Sequence, residues 1–353
     1  MPSLTKTVLV TGATGFLGRH VLRAIRVAGH SAVVLVRNRD AWLSLPWRNE
    51  AGDVRIVEGS PLSADRWQFN AELAGVTSII HAAAVVKHSR AATDEMEELN
   101  VAGTAQMVHV AKRLGARIVF VSSSGTVGCY RFPDLVADED APYADAMVGH
   151  WPYYASKIRA EREARKLADK LGVQLVIARP PVLLGPDDHR LRSTGHVLRV
   201  LERRIPAIPS GSMHFADIRD VAKALTRILE IDETRGIYHL PGHHTSLGDF
   251  FNLVAEVAGM PGPTRRLSPL ATRALAKVAT YLPAHGGLPD PVVLEMSASH
   301  WGLSSLFADE IDYSCRAARQ TLSDTVAWLR GEEKAAGNKQ TTGHRLQATA
   351  RSE

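Results

Sequence analysis

A glycine-rich turn between a strand pattern and a helix pattern is the feature that most restricts how this chain can fold. An apolar, β-branched run at residues 7–10 leads into a turn with three glycines, and a helical pattern follows over residues 17–28. Glycines permit a tight turn, and the following helix offers unpaired N–H groups and its positive dipole end to a pyrophosphate. The spacing therefore predicts a dinucleotide-binding turn. The residues predicted to contact the cofactor there are Gly12, Thr14, Gly15, Phe16, Leu17 and Gly18.

Apolar runs and helical patterns alternate through the first two-thirds of the chain. Further strands are predicted at residues 32–36, 54–57, 78–81, 118–122 and 174–178, and further helices at residues 97–114 and 154–171. Continuous apolar strands separated by helices indicate a parallel sheet that is covered on both faces. We therefore predict an α/β fold with a Rossmann-like, doubly wound parallel sheet over residues 1–180.

The pattern changes after Pro180, where loops rich in Pro and Gly separate short helices at residues 197–203, 218–231 and 247–258. This change predicts a smaller C-terminal substrate lobe over residues 181–331, with a strand at 236–240 that could rejoin the first domain. Residues 332–353 offer little to bury, so we predict a disordered tail there.

Composition excludes several classes of protein. Hydrophobic residues make up 45% of the chain, and charged residues make up 22%, as in ordinary globular proteins. The longest nearly apolar stretch, residues 76–86, is shorter than the ~20 residues of a membrane span. The N-terminus does not resemble an export signal, so we expect a cytoplasmic protein.

The cysteine count and the distribution of charge argue against some kinds of metal site and some kinds of partner. Two cysteines, Cys129 and Cys315, permit neither a disulfide framework nor a cysteine zinc site, and no metal is predicted. The 42 basic and 37 acidic residues are scattered along the chain, so no nucleic-acid partner is expected.

Residues 265–282 leave two interpretations open. Apolar side chains recur there at helical spacing beside basic ones, which describes either a helix on a membrane surface or an ordinary lobe helix with a solvated basic face. The apolar residues are Leu267, Leu270, Leu275, Val278 and Leu282, and the basic ones are Arg265, Arg266, Arg273 and Lys277.

A tyrosine and a lysine stand four residues apart at the start of a helical pattern. Tyr153 and Lys157 therefore share one helix face. A free tyrosine has a pKa of ~10, and a nearby ammonium lowers that pKa. The residue four positions after Tyr154 is Ile158, which has no charge and cannot lower the pKa of a tyrosine. The spacing predicts Tyr153 as a proton donor with Lys157 as its partner.

The end of the second strand bears on cofactor choice. A carboxylate there binds the ribose hydroxyl of NAD, whereas an arginine accommodates the 2′-phosphate of NADP. Arg37 follows Val36 directly, and the first carboxylate is Asp40. Because a guanidinium fork matches phosphate oxygens, we predict NADP(H) in preference to NAD(H).

These motifs together resemble the extended short-chain dehydrogenase/reductases, the NAD(P)-dependent epimerase/dehydratase superfamily. The resemblance covers about residues 8–330 and includes the turn at 11–18, the motif at 152–157 and a later segment at 215–222. It implies that a homodimer is common among such chains. It also implies cofactor contacts from His81, Ala82, Ala83, Tyr153, Lys157, Pro180 and Val182.

A run of serines follows the strand at residues 118–121, at the carboxyl edge of the sheet where ligands bind. One hydroxyl there can hold the substrate oxygen. The resemblance assigns this role first to Ser124 and second to Ser123.

Two positions separate the chemistries of the superfamily. Sugar dehydratases have an Asp-Glu pair after the catalytic hydroxyl, where this chain has Gly125 and Thr126. Nucleotide-sugar enzymes have an aromatic residue and an asparagine after the arginine of the sixth strand, where this chain has Pro180 and Pro181. This form resembles the dihydroflavonol reductase-like and 3β-hydroxysteroid dehydrogenase-like branches.

The sequence therefore predicts an NADP(H)-dependent oxidoreductase. Its expected substrate is a hydrophobic, non-nucleotide ketone or secondary alcohol, with Tyr153 as the proton donor or acceptor. Two alternatives stay open. One is an epimerase that acts on a sugar or a sugar-like lipid headgroup, and the other is a non-catalytic dinucleotide-sensing regulator.

Overall fold

The computed structural model describes residues 5–89, 93–279 and 290–331. Within these ranges the strands are β1 (Thr7–Thr11), β2 (Ser31–Val36), β3 (Val54–Glu58), β4 (Val76–His81), β5 (Arg117–Val121), β6 (Cys129–Tyr130), β7 (Leu175–Arg179), β8 (Val182–Leu184), β9 (Ser212–Asp217), β10 (Ile237–His239), β11 (His243–Ser246) and β12 (His300–Trp301).

The helices are named in the same way. They are α1 (Phe16–Val27), α2 (Arg39–Leu43), α3 (Ala64–Trp67), α4 (Thr93–Met96), α5 (Gly103–Leu114), α6 (Asp145–Val148), α7 (Pro152–Leu171), α8 (Gly195–Leu201), α9 (Ile218–Glu230), α10 (Leu247–Val257), α11 (Pro269–Ala279), α12 (Pro291–Met296) and α13 (318–331). None of these described helices is both long enough and apolar enough to cross a bilayer.

A seven-stranded parallel sheet forms the centre of the molecule, in the order β3-β2-β1-β4-β5-β7-β10. Side chains alternate between its two faces. Val8 and Val10 of β1 pack in one core with Val21 of α1 and Leu225 of α9, whereas Leu9 lies in a second core with α5. Helices thus cover both faces, and the predicted Rossmann-like, doubly wound sheet is confirmed.

The C-terminal part contributes a second, smaller sheet. Strands β8, β9 and β11 form it, and its core with α8, α10 and α13 includes Leu184, Val197, Phe215, Phe250 and Leu322. Strand β10 pairs with β7, so this segment returns to the main sheet. The division into domains at residue 180 stays a prediction, and the predicted tail at 332–353 lies outside the described residues.

The helix predicted over residues 97–114 is divided in the structure. A π-helical stretch, Glu97–Ala102, separates α4 from α5. The buried Asn100 side chain binds both the N–H and the C=O of Val85, at 2.8 and 3.0 Å, and it donates to the Ser156 hydroxyl at 3.0 Å. Because these bonds hold the chain after β4, the π stretch connects α5 and α7 to the edge of the sheet where ligands bind.

Candidate active site

A cavity of about 1170 Å³ lies between the carboxyl edge of the main sheet and the C-terminal lobe. Nearly all the residues predicted at the site line it, although they come from distant parts of the sequence. The predicted residues along the cavity are Gly12, Thr14, Gly15, Phe16, Leu17, Gly18, Arg37, Ala82, Ala83, Ser124, Tyr153, Lys157, Pro180 and Val182.

The glycine turn is closed tightly against its neighbours. Gly12 has a φ of 72°, and a Cβ atom there would lie 2.7 Å from the carbonyl carbon of Ala82. A Cβ atom on Gly18 would overlap the carbonyl oxygen of Gly12. Because side chains do not fit, the backbone ahead of α1 forms this part of the wall. The turn therefore fits a pyrophosphate group.

His81 does not line the cavity, contrary to what the resemblance implies. The Thr104 hydroxyl donates to the carbonyl of Asn100 at 2.6 Å, so it accepts from His81 Nε2 at 3.1 Å, and His81 Nδ1 accepts from Thr11 at 2.7 Å. Burial, with a smaller effect of the Lys157 charge, lowers the pKa of His81 to about 3. A neutral His81 thus connects β1, β4 and α5 beneath the cavity.

The Tyr153 phenol lies in the first turn of α7. Pro152 occupies the first position of this helix, where its missing N–H costs little. Burial raises the pKa of Tyr153 to about 12, and a hydrogen bond with the Ser123 side chain opposes this rise. Burial, rather than the charge of Lys157, has the largest effect on this pKa. The phenol is therefore protonated at neutral pH and can donate its proton.

The structure brings Ser123 rather than Ser124 to Tyr153. The Ser123 side chain acts on the phenol and lowers its pKa, and its hydroxyl accepts from the N–H of Gly125 at 3.3 Å. Ser124 also lines the cavity, and its N–H donates to the carbonyl of Pro180 at 2.8 Å. This favours Ser123, and the choice between the two serines stays a prediction.

Lys157 lies one helical turn after Tyr153. Its ammonium donates to the carbonyl of Val121 at 2.9 Å and lies 4.8 Å from the centroid of the Phe120 ring. Burial lowers the pKa of Lys157 to about 8, and the negative charge of Glu161, a further turn along α7, opposes that effect. The lysine is thereby held at the carboxyl end of β5, beside the serines.

Tyr154 has a packing role. Its ring is buried and covers Gly125, where a Cβ atom would overlap the ring. Thr126 is fully buried and donates to the carbonyl of Ser123 at 2.8 Å. Neither Gly125 nor Thr126 supplies a carboxylate, so these positions lack the acid-base pair that is typical of sugar dehydratases.

Two histidines of the cavity wall, His88 and His196, were not predicted from the sequence. His88 follows β4, and its ring lies edge-on to the Tyr153 ring at 5.4 Å. Among the described residues, none hydrogen-bonds the buried His88 Nδ1. His196 comes from α8, and the charges of His88 and Arg199 act on it. Burial lowers the pKa of both histidines to about 4. No motif spacing connects them, because only the folded chain brings them together.

Residues 8–240 match the NAD dependent epimerase/dehydratase family. This chain belongs to that family. This epimerase/dehydratase family binds a nicotinamide dinucleotide, NAD or NADP.

Its relatives include reductases. Sterol demethylase protein B of Methylococcus capsulatus is 27% identical over 347 residues, which cover 92% of this chain and 98% of the relative. A putative dihydroflavonol 4-reductase of Synechocystis sp. is 26% identical over 333 residues, which cover 91% and 93%. The solved structure of gox2253 has 28% identity and a TM-score of 0.79, with 93% of this chain and 99% of that one covered.

Proposed function

We propose that this protein is an NADP(H)-dependent reductase of ketones, or in reverse an oxidoreductase of secondary alcohols, on a hydrophobic substrate without a nucleotide. The observation that carries the proposal is the Tyr153 phenol, which lies with Ser123 and Lys157 in the wall of a largely apolar cavity, where burial keeps it protonated. A neutral phenol of this kind donates a proton to an oxygen that gains negative charge.

The chemistry divides between the cofactor and this chain. When bound, the dinucleotide supplies the hydride. Tyr153 Oη donates its proton to the substrate oxygen, and a serine hydroxyl, Ser123 or Ser124, orients that oxygen. Lys157 binds the cofactor ribose and supports the Tyr153 hydroxyl. Proton transfer from a positioned side chain contributes about 10²- to 10⁴-fold to the rate.

The wall of the cavity supports an apolar substrate. Pro180 and Pro181 present rings and no N–H groups to the cavity. A sugar held against such a wall would have hydroxyl groups without hydrogen-bond partners, and each such group would cost about 1 to 3 kcal/mol of binding free energy. Further apolar side chains along the cavity are Val182, Met213, Leu247, Phe251, Leu267 and Leu275.

A carbonyl screen tests this function. NADPH consumption would be measured with hydrophobic ketones, and epimerisation of common nucleotide sugars would be measured in parallel. We expect turnover of at least one class of ketones and none of the sugars. Epimerised sugar without NADPH consumption would establish the epimerase instead, and tight cofactor binding with no turnover of any kind would favour the regulator.

Cofactor preference is expected to follow Arg37. This residue is exposed after β2 and lines the cavity, and no described residue forms a hydrogen bond or ion pair with its guanidinium. Arg37→Asp should weaken NADPH binding by about 1 to 3 kcal/mol, the scale of a charge-assisted hydrogen bond, while NADH suffers less. Fluorescence titration of both cofactors checks this. Arg39→Asp, at an exposed position outside the cavity wall, is the matched control.

Serine substitutions distinguish the two candidate hydroxyls. Ser123→Ala removes the hydroxyl that acts on the Tyr153 phenol, so we expect kcat to fall by about tenfold or more, the equivalent of a hydrogen bond of about 1.5 kcal/mol. Ser124→Ala should have a smaller effect. Steady-state kinetics on both variants decide the order, and a larger loss for Ser124→Ala would restore the assignment from the sequence.

A further inference from the structure

Helix α11 presents an apolar strip to solvent. Its buried side chains, Thr272, Ala276 and Ala279, lie on one face. On the opposite face Leu270, Ala274 and Val278 follow one another at intervals of four residues and are exposed. Leu270 is 79% exposed and Val278 is 55% exposed. Such a strip is unusual because apolar residues of a lobe helix ordinarily face the core.

A second exposed apolar segment lies on the same side of the molecule. It is the loop after β6, where Phe132 is 67% exposed and Leu135 and Val136 are also exposed. Strand β6 pairs with β12, and α11 packs against α12, which immediately precedes β12. The charges of Asp134 and Arg273 both act on His300 of β12, so the two segments flank that strand. We call these exposed side chains the apolar rim: Phe132, Leu135, Val136, Leu270, Leu275 and Val278.

The apolar rim borders the candidate active site. Leu275, which is 44% exposed, also lines the cavity, and Ala279 lies beside it in the cavity wall. One helix therefore forms both part of the substrate cavity and part of the exposed surface. A molecule that contacts the outer face of α11 is thus close to the cavity.

Charge distinguishes the partners that this surface can accept. Residues 265–279 include four basic residues and no acidic one, and the loop after β6 adds one of each, Arg131 and Asp134. Arg273 and Lys277 are exposed beside the apolar strip. A second copy of the chain on this face would bring the same basic side chains together, because a two-fold interface pairs a surface with itself. An anionic lipid surface instead offers both negative charge and an apolar interior.

We propose that the apolar rim docks on an anionic membrane surface. Helix α11 lies in the interface plane, with Leu270, Ala274 and Val278 among the acyl chains and with Arg273 and Lys277 at the lipid phosphates. Docking in this position places the cavity next to the bilayer, so an apolar substrate can enter without crossing water. The docking itself requires no turnover, and its failure would leave the proposed reductase unaffected.

Vesicle sedimentation with the full chain tests the docking. We expect the protein to bind vesicles of phosphatidylcholine and phosphatidylglycerol, and to bind vesicles of phosphatidylcholine alone more weakly. Binding should fall as salt rises, because salt screens the basic side chains. The double variant Leu270→Glu/Val278→Glu should bind at least about tenfold more weakly, since it puts charges where apolar side chains would contact the acyl chains.

The control substitutes an exposed valine elsewhere. Val27 on α1 is 89% exposed, and Val27→Glu should leave vesicle binding unchanged. Thermal unfolding and cofactor titration would verify that each variant is folded. Equal loss of binding in the control, or no binding of the unaltered protein, would overturn the proposal. The proposal would also be overturned if the unaltered protein is a dimer in size-exclusion chromatography and the double substitution only converts it to a monomer. The apolar rim would then bind a second copy of the chain.

Discussion

Replacing Tyr153 with Phe is expected to reduce turnover by about 10²- to 10⁴-fold, the contribution of a positioned proton donor. The substitution removes one oxygen and leaves the ring in place. NADPH binding and the melting temperature should stay close to those of the unaltered protein. Steady-state kinetics with a ketone found in the screen, together with a cofactor titration, measure these quantities.

Tyr154→Phe is the matched control for this prediction. The Tyr154 ring packs over Gly125 and near Trp151 and Trp301, and Phe keeps that packing. We therefore expect a mild effect on turnover. A large loss for Tyr154→Phe with near-normal activity for Tyr153→Phe would show that the proton donor is assigned to the wrong tyrosine.

Replacing Glu161 with Ala is expected to destabilise the fold by about 3 to 5 kcal/mol, because it leaves a buried arginine unpaired. Glu161 is fully buried on α7 and accepts hydrogen bonds from Arg179 and from the Ser122 hydroxyl. Arg179 is also buried, and its other terminal nitrogen lies 3.2 Å from His239 Nε2. The pair joins α7 to β5, β7 and β10 directly beneath the serines of the site.

Urea denaturation monitored by circular dichroism measures this loss. Glu163→Ala, two residues along the same helix and exposed, is the control and should change the free energy of unfolding by less than about 0.5 kcal/mol. A Glu161→Ala variant as stable as this control would show that the buried pair contributes little.

The main sheet and the glycine turn are predictable from the sequence because their signals are local. These signals come from one continuous segment, which contains the strand Thr7–Thr11, the glycines that follow it and α1. Each part has residue types that are typical of its own secondary structure. The strand Ser212–Asp217 was not predicted, although it is entirely buried. Its neighbours β8 and β11 are short and lie outside the regular alternation, so its role as a strand depends on tertiary pairing.

The site residues that lie on one helix could be predicted from their spacing in the sequence, whereas those on different elements were harder to predict. Tyr153 and Lys157 share a helical face, so four residues of sequence suffice to place them together. The choice between Ser123 and Ser124 depends on the direction of each side chain after β5, which the sequence does not specify. The His81 ring forms hydrogen bonds with two threonine hydroxyls beneath the edge of the sheet. The His88 ring, in the loop after β4, packs against the Tyr153 ring. Such contacts exist only in the folded chain.

Transfer of a labelled hydride distinguishes the proposed reductase from an epimerase. The protein would be incubated with a ketone from the screen and with NADPH that carries deuterium at C4 of the nicotinamide. We predict one deuterium on the carbinol carbon of the product for each NADP⁺ formed, and loss of this transfer in Tyr153→Phe. An isomerised product without net NADP⁺, or full transfer by Tyr153→Phe, would contradict the assignment of a Tyr153-dependent reductase.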